Sequence, residues 1–218
     1  MPKVSISRES LRRAHSDKLP EIRKALKGFV RAGKRPETEI FLELVFCLLT
    51  PQSRARASES AIKKLRERGF PEKALSPDEI RKCLAGVRFP NNKAKYVFLA
   101  RKLFSDSSGK VSVSPFLPLS DPFLSREFLV KNVLGLGMKE ASHFLRNIGH
   151  GADLAILDIH VLRRLGPLGL VREMPRSIPP KNYLELEAKL AKFSRRIGIP
   201  LAELDLVLWS DGTGEIFK

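Results

Sequence analysis

The chain has 218 residues, 40 Lys and Arg against 24 Asp and Glu for a net charge of +16, and 43% hydrophobic residues, enough apolar content to exclude a largely disordered polymer. No stretch approaches the ~18 consecutive apolar residues of a membrane span. The opening Met1-Pro2-Lys3-Val4-Ser5 lacks the apolar segment of a secretion signal, and two cysteines, Cys47 and Cys83, are too few for a disulfide scaffold or a four-thiolate cluster. The expectation is a soluble, cytoplasmic protein without metal or cofactor. So large a positive surplus points to a polyanion as partner, since each neutralised phosphate releases condensed counterions.

Helical periodicity runs from about Ser10 to Val30 through Leu11, Ala14, Leu19, Ile22, Leu26 and Phe29, with a break expected near Pro20. Gly33 and Pro36 then punctuate. Thr38 is the expected N-cap of a helix from Ile40 to Leu49, which is too apolar all round for a surface position. Thr50-Pro51-Gln52-Ser53 interrupts it, and a polar helix follows from about Arg54 to Arg68, stopped by Gly69. Ser76-Pro77-Asp78-Glu79 reads as a capping box with Pro at the first helical position, opening a helix to about Ala85. Another covers about Asn92 to Phe104. The stretch Ser105 to Pro122, rich in Ser, Pro and Gly, is the longest loop; Val111-Ser112-Val113 is a candidate strand for which nothing supplies a pairing partner. Helices resume over Ser125 to Asn132, Lys139 to Ile148, Asp158 to Leu165, Pro180 to Ile197 and Pro200 to Ser210. The fold class this predicts is all-α.

Between two of these helices lies Val133-Leu134-Gly135-Leu136-Gly137-Met138-Lys139. Glycines one residue apart, Gly135 and Gly137, let the backbone turn sharply and leave N–H groups uncovered at the start of the next helix. Those donors, with the positive end of the helix dipole, make an anion site. Val133, Leu136 and Ala141 are placed to pin the two helices together. The pattern is that of a helix–hairpin–helix, a sequence-independent binder of nucleic-acid backbone, although a bare G-x-G also serves as a helix C-cap.

Lys139 falls in the first turn of the second helix, where a cation opposes the helix dipole. The same potential favours the neutral amine, a nucleophile able to form a Schiff base with an aldehydic carbon. A phosphate contact or a solvated lysine is the plainer reading. Asp158 lies nineteen residues later, inside the apolar run Ile156-Leu157-Asp158-Ile159-His160-Val161. It reads equally as the N-cap of the following helix, and the two roles are compatible, because a capping carboxylate is rigidly held.

The two glycines, a lysine two residues beyond the second, and Asp158-Ile159-His160 together resemble the helix–hairpin–helix family of base-excision DNA glycosylases. The chain is more closely similar to the archaeal and bacterial second family of 8-oxoguanine DNA glycosylase/lyases. Its compact length and its ending, Trp209-Ser210-Asp211-Gly212-Thr213-Gly214-Glu215-Ile216-Phe217-Lys218, carry that likeness, which runs from about Thr38 onward. The resemblance implies that Lys139 attacks the deoxyribose C1′ of a flipped nucleotide and that Asp158 is the carboxylate stabilising positive charge on the sugar. Strand cleavage 3′ to the lesion by β-elimination would follow. It further implies that Trp209 and Phe89 sandwich the damaged base, that Lys218 helps tell 8-oxoguanine from guanine, and that Gln52 fills the gap left by the flipped base.

Two departures stand out. Leu134 occupies a position where many of these glycosylases have proline, and the four-cysteine metal loop of some relatives is absent. The expected architecture is two helical subdomains with DNA bound across their cleft: 38–152 as a central barrel carrying the hairpin, and 1–37 with 153–218 as the second. The expected partner is double-stranded DNA containing oxidised guanine, bound by a nucleoid-associated monomer without membrane contact. A non-catalytic DNA-binding module and a glycosylase for another lesion are the alternatives.

Overall fold

The fold is that of a computed structural model describing residues 7–171 and 178–213. Within them the chain forms helices α1 (Arg8–Ala32), α2 (Glu37–Leu49), α3 (Ala55–Glu67), α4 (Pro77–Cys83), α5 (Pro90–Leu103), α6 (Pro122–Asn132), α7 (Met138–Asn147), α8 (Ile159–Leu165), α9 (Pro180–Ile197) and α10 (Leu201–Thr213). Local chemistry explains where several begin. Ser7 and Ser76 each close a capping box with the third helical residue, and Asp121 and Asp158 cap α6 and α8 with their carboxylates. Proline opens α4, α5, α6 and α9, where its missing N–H has no helical partner to lose.

Three local expectations need correction. Helix α1 passes through Pro20 unbroken: Pro20 and Ser16, whose carbonyl Pro20 cannot serve, are both exposed, so the acceptor that loses its helical partner stays open to solvent. Thr38 is inside α2, whose N-cap is Pro36 without a side-chain hydrogen bond; the helix starts one turn earlier than its apolar run. The loop before α6 contains a 3₁₀ turn at Ser114–Phe116, and Val111 does have a pairing partner, a single antiparallel bridge to Ser105.

The buried apolar side chains form two clusters. One centres on α2, where Phe41, Leu44, Val45, Cys47 and Leu49 are fully enclosed, and extends from Ile40 to Leu154. The other joins Leu11, Ile22 and Phe29 of α1 to residues between Ala155 and Leu208. The first helix therefore packs with the last ones, against α10. The chain passes between clusters twice, and the two passages touch. A Cβ on Gly33 would meet the Ile148 carbonyl oxygen at 2.1 Å, and one on Gly149 (φ +80) would meet Val30 Cα at 2.7 Å. No helix among the described residues is long and apolar enough to cross a membrane.

Candidate active site

The hairpin is the five residues between α6 and α7, and its apolar pins are buried as their pattern predicts: Val133, Leu136 and Ala141 are all enclosed in the first cluster. Gly135 is required twice over. Its φ of +88° belongs to the left-handed region, and a Cβ would lie 2.3 Å from the Tyr96 ring. Gly137 is the N-cap of α7, with extended backbone. The amides of the first turn, Met138, Lys139 and Glu140 among them, have no acceptor within the helix, which leaves its positive end open. Leu134, at the tip, is exposed.

Lys139 is the second residue of α7, partly exposed, with Nζ 3.6 Å from Glu140 Oε1. Asp158 caps α8, its Oδ1 accepting from the backbone N–H of His160 (2.9 Å) and Val161 (2.8 Å). Nineteen residues apart in sequence, the two line a single recess of about 30 Å³ with His143, Arg146, Ile156, Asp205 and Trp209. That volume holds a water molecule or two and no nucleobase. The amine and the carboxylate thus share one small opening.

The strap leading to Asp158 explains how the carboxylate reaches this place. Its successive N–H groups are taken by buried side chains from α9 and α10. Ala155 donates to Glu187 Oε1 (2.8 Å), Ile156 to Asp205 Oδ1 (3.2 Å) and Leu157 to Tyr183 Oη (3.3 Å), while Tyr183 Oη donates to the Ala155 carbonyl (2.6 Å). Both acids are in turn held by arginines of the hairpin helices. Arg126 of α6 grips Glu187 with two hydrogen bonds of 2.6 and 2.7 Å, and Arg146 of α7 donates to Asp205 Oδ2 at 3.1 Å. Arg146 also donates to Asn147, whose amide donates to Glu43 of α2. The element carrying the lysine and the element carrying the aspartate are therefore fastened to each other by buried ion pairs, which is a way of fixing geometry more than of adding stability. Burial pushes the Asp205 carboxyl up to about 6; Arg146 opposes that, and the neighbouring Asp158 adds to it. Burial also raises the Tyr183 phenol.

The remaining site residues are placed less centrally. Trp209, on α10, is partly buried, lines the recess and packs against the second cluster, with its ring 6.2 Å from that of His160. Phe89 and Gln52 do not line the recess. Phe89 is the N-cap of α5, half exposed, with the Arg88 guanidinium 5.2 Å from its ring centre. Gln52 is exposed in the turn between α2 and α3. Among the described residues these two are the non-glycine positions with positive φ, 55° for Gln52 and 56° for Phe89. Lys218 lies outside the described residues. No group of three or more His, Cys, Asp or Glu among them is arranged to hold a metal ion.

A family model described as 8-oxoguanine DNA glycosylase matches residues 22–199. The chain belongs to the 8-oxoguanine DNA glycosylase family. Curated relatives agree: a protein named 8-oxoguanine DNA glycosylase/AP lyase from Korarchaeum cryptofilum is 42% identical over 199 residues, 90% of each chain. One of the same name from Fusobacterium nucleatum is 41% identical over 180 residues, 83% of this chain and 82% of that one. The fold matches the Methanocaldococcus jannaschii 8-oxoguanine glycosylase/lyase solved with 15mer DNA containing 8-oxoguanine. Its TM-score is 0.82 at 32% identity, covering 95% of this chain and 99% of that one.

Several side chains around this glycosylase-family site escape a reading of the sequence, though some carried a signal. Asp205 interrupts an apolar run, Leu204 to Leu208, just as Asp158 interrupts its own. Glu187 falls on the helical face of Tyr183, Leu190 and Ile197, all buried. Lys93, buried beneath Gln52, had none: Asn91, Asn92 and Lys95 around it make it look like surface.

Proposed function

We propose that this chain is a bifunctional 8-oxoguanine DNA glycosylase/AP lyase with Lys139 as nucleophile and Asp158 as the carboxylate that assists it. The observation carrying this reading is that Lys139 and Asp158 line one recess with Trp209 at its wall, in a chain of this family. In the step proposed, Nζ bonds to C1′ as the bond from C1′ to the purine breaks. The base leaves with the bonding pair and takes up a proton, while the lysine gives up a proton to Asp158 or water. The positive charge that develops on the sugar is stabilised by the adjacent carboxylate. The sugar ring opens as the C1′–O4′ bond breaks and O4′ takes up a proton, which gives the protonated Schiff base; loss of a C2′ proton then breaks the C3′–O bond, expels the 3′ phosphate and cuts the strand. The lysine amine takes the place of an activated water, so the route calls for no metal or cofactor.

The two apolar clusters are read as two lobes, about 38–152 and 1–37 with 153–218, with duplex DNA across the seam between them. First-turn amides of α7 and the Gly135–Gly137 backbone hold a phosphate, Trp209 and Phe89 stack the extruded base, and Gln52 enters the vacated space. The protein works as a monomer on chromosomal DNA. Borohydride treatment of the chain with a duplex containing 8-oxoguanine tests this. A covalent adduct is expected for the parent and none for Lys139→Gln with DNA binding retained. No adduct from the parent on any of a panel of lesions would leave only a passive DNA-binding module, and an adduct confined to another lesion would reassign the substrate.

A further inference from the structure

Lys93 takes no part in the chemistry above, yet its side chain is almost wholly enclosed, with 4% of the residue exposed. Its Nζ donates to the carbonyl oxygens of Leu49 and Pro51, both at 2.7 Å, and to Ser53 Oγ at 3.0 Å, which uses all three ammonium donors. Leu49 is the last residue of α2, so the cation also meets the negative end of that helix. Ser53 Oγ accepts in turn from the backbone N–H of Arg88 (3.0 Å), the residue before Phe89. One side chain thus ties together the turn that holds Gln52 and the loop that holds Phe89, the two non-glycine residues with left-handed backbone among the described residues. Such conformations persist only where surrounding bonds enforce them. Burial lowers the Lys93 ammonium to about 8, with Glu140 opposing and Arg88 adding, so the fold retains a cation in a place that disfavours one.

We infer that Lys93 is a positioning residue for base extrusion, fixing the Gln52 turn and the Phe89 loop as a single unit so that filling the gap in the duplex and stacking the extruded base occur together. The inference rests on the roles proposed for Gln52 and Phe89, and so on the proposed function. It separates two demands. An intact duplex with a lesion must be opened, filled and stacked together; a single strand calls only on the stacking, and a duplex with a pre-formed abasic site only on the filling.

The test is Lys93→Met in the full chain, which keeps side-chain length and removes the donors. Three substrates are compared in single turnover: a duplex with 8-oxoguanine, the single strand with 8-oxoguanine, and a duplex with a pre-formed abasic site trapped by borohydride. Excision from the duplex, which calls on both halves of the unit at once, is expected to fall at least tenfold and by at least threefold more than either of the other two reactions. The fluorescence rise of 2-aminopurine beside the lesion should shrink alongside. Ser53→Ala removes the acceptor shared by Lys93 and the Arg88 N–H while leaving the Lys93 bonds to Leu49 and Pro51, and should show the same selectivity at smaller amplitude, which keeps the inference falsifiable if Lys93→Met fails to fold. A parallel loss on all three substrates, or no loss on the duplex, overturns the inference. A parent chain that leaves 8-oxoguanine untouched in every substrate overturns the proposed function and the inference with it.

Discussion

Asp158 caps α8 with the same carboxylate that the proposed mechanism uses, and substitution can separate the two roles. Asparagine caps helices as well as aspartate does but carries no charge. Asp158→Asn is therefore expected to melt within a few degrees of the parent while losing at least a hundredfold in borohydride adduct; Asp158→Ala should lose the adduct and about 1 kcal/mol of stability besides. Asp205, behind it, makes a pH prediction. Its carboxyl releases a proton near 6 in the fold against 3.8 for an ordinary aspartate. Between those values the folded chain holds a proton that the unfolded chain has lost. The contribution of this group thus favours folding at pH 4 and disappears as the pH climbs through 6. Urea unfolding of parent and Asp205→Asn at several pH values should show the difference between them shift in favour of the variant over that window, and parallel curves would contradict it. Lys139 and Asp158 are legible in the sequence because one follows paired glycines and the other breaks an apolar run. Asp205 breaks a run in the same manner, but no glycine turn or cap pattern beside it marks it out. The left-handed backbone of Gln52 and Phe89 has no sequence signal, since neither residue type favours it.

At the scale of elements, most helices follow from apolar periodicity and capping chemistry, and α9 runs over the same residues as its pattern, Pro180–Ile197. What periodicity does not reveal is the strap before α8. Its conformation is dictated by side chains of α9 and α10 far along the chain, not by its own residues. Removing one partner of a buried ion pair strands the other, so Glu187→Ala is expected to cost about 3 kcal/mol or more in denaturant melts. Replacing both partners, Arg126→Met with Glu187→Leu, should recover much of that stability. It should not recover base release, because the Ala155 N–H then lacks its acceptor and Asp158 loses its fixed approach. Full activity in the stable double variant would show that the strap holds itself.

For the whole molecule, a net charge of +16 predicts binding that is strongly sensitive to salt. Affinity for undamaged duplex, measured by fluorescence anisotropy, should fall by about a hundredfold or more between 50 and 200 mM salt; a nearly flat dependence would mean that few phosphates are neutralised. The sharing of α1 between the beginning and the end of the chain has another consequence, for synthesis. Leu11, Ile22 and Phe29 share a buried cluster with residues from Ala155 onward, so α1 leaves the ribosome well before the helices that bury it. During that interval its apolar stripe has only transient company, and the nascent chain is most exposed to chaperones and proteases. The same order applies to the proposed site: Lys139 is made before Asp158, Asp205 and Trp209, which line the recess with it, so the recess is completed only when the last of them arrives.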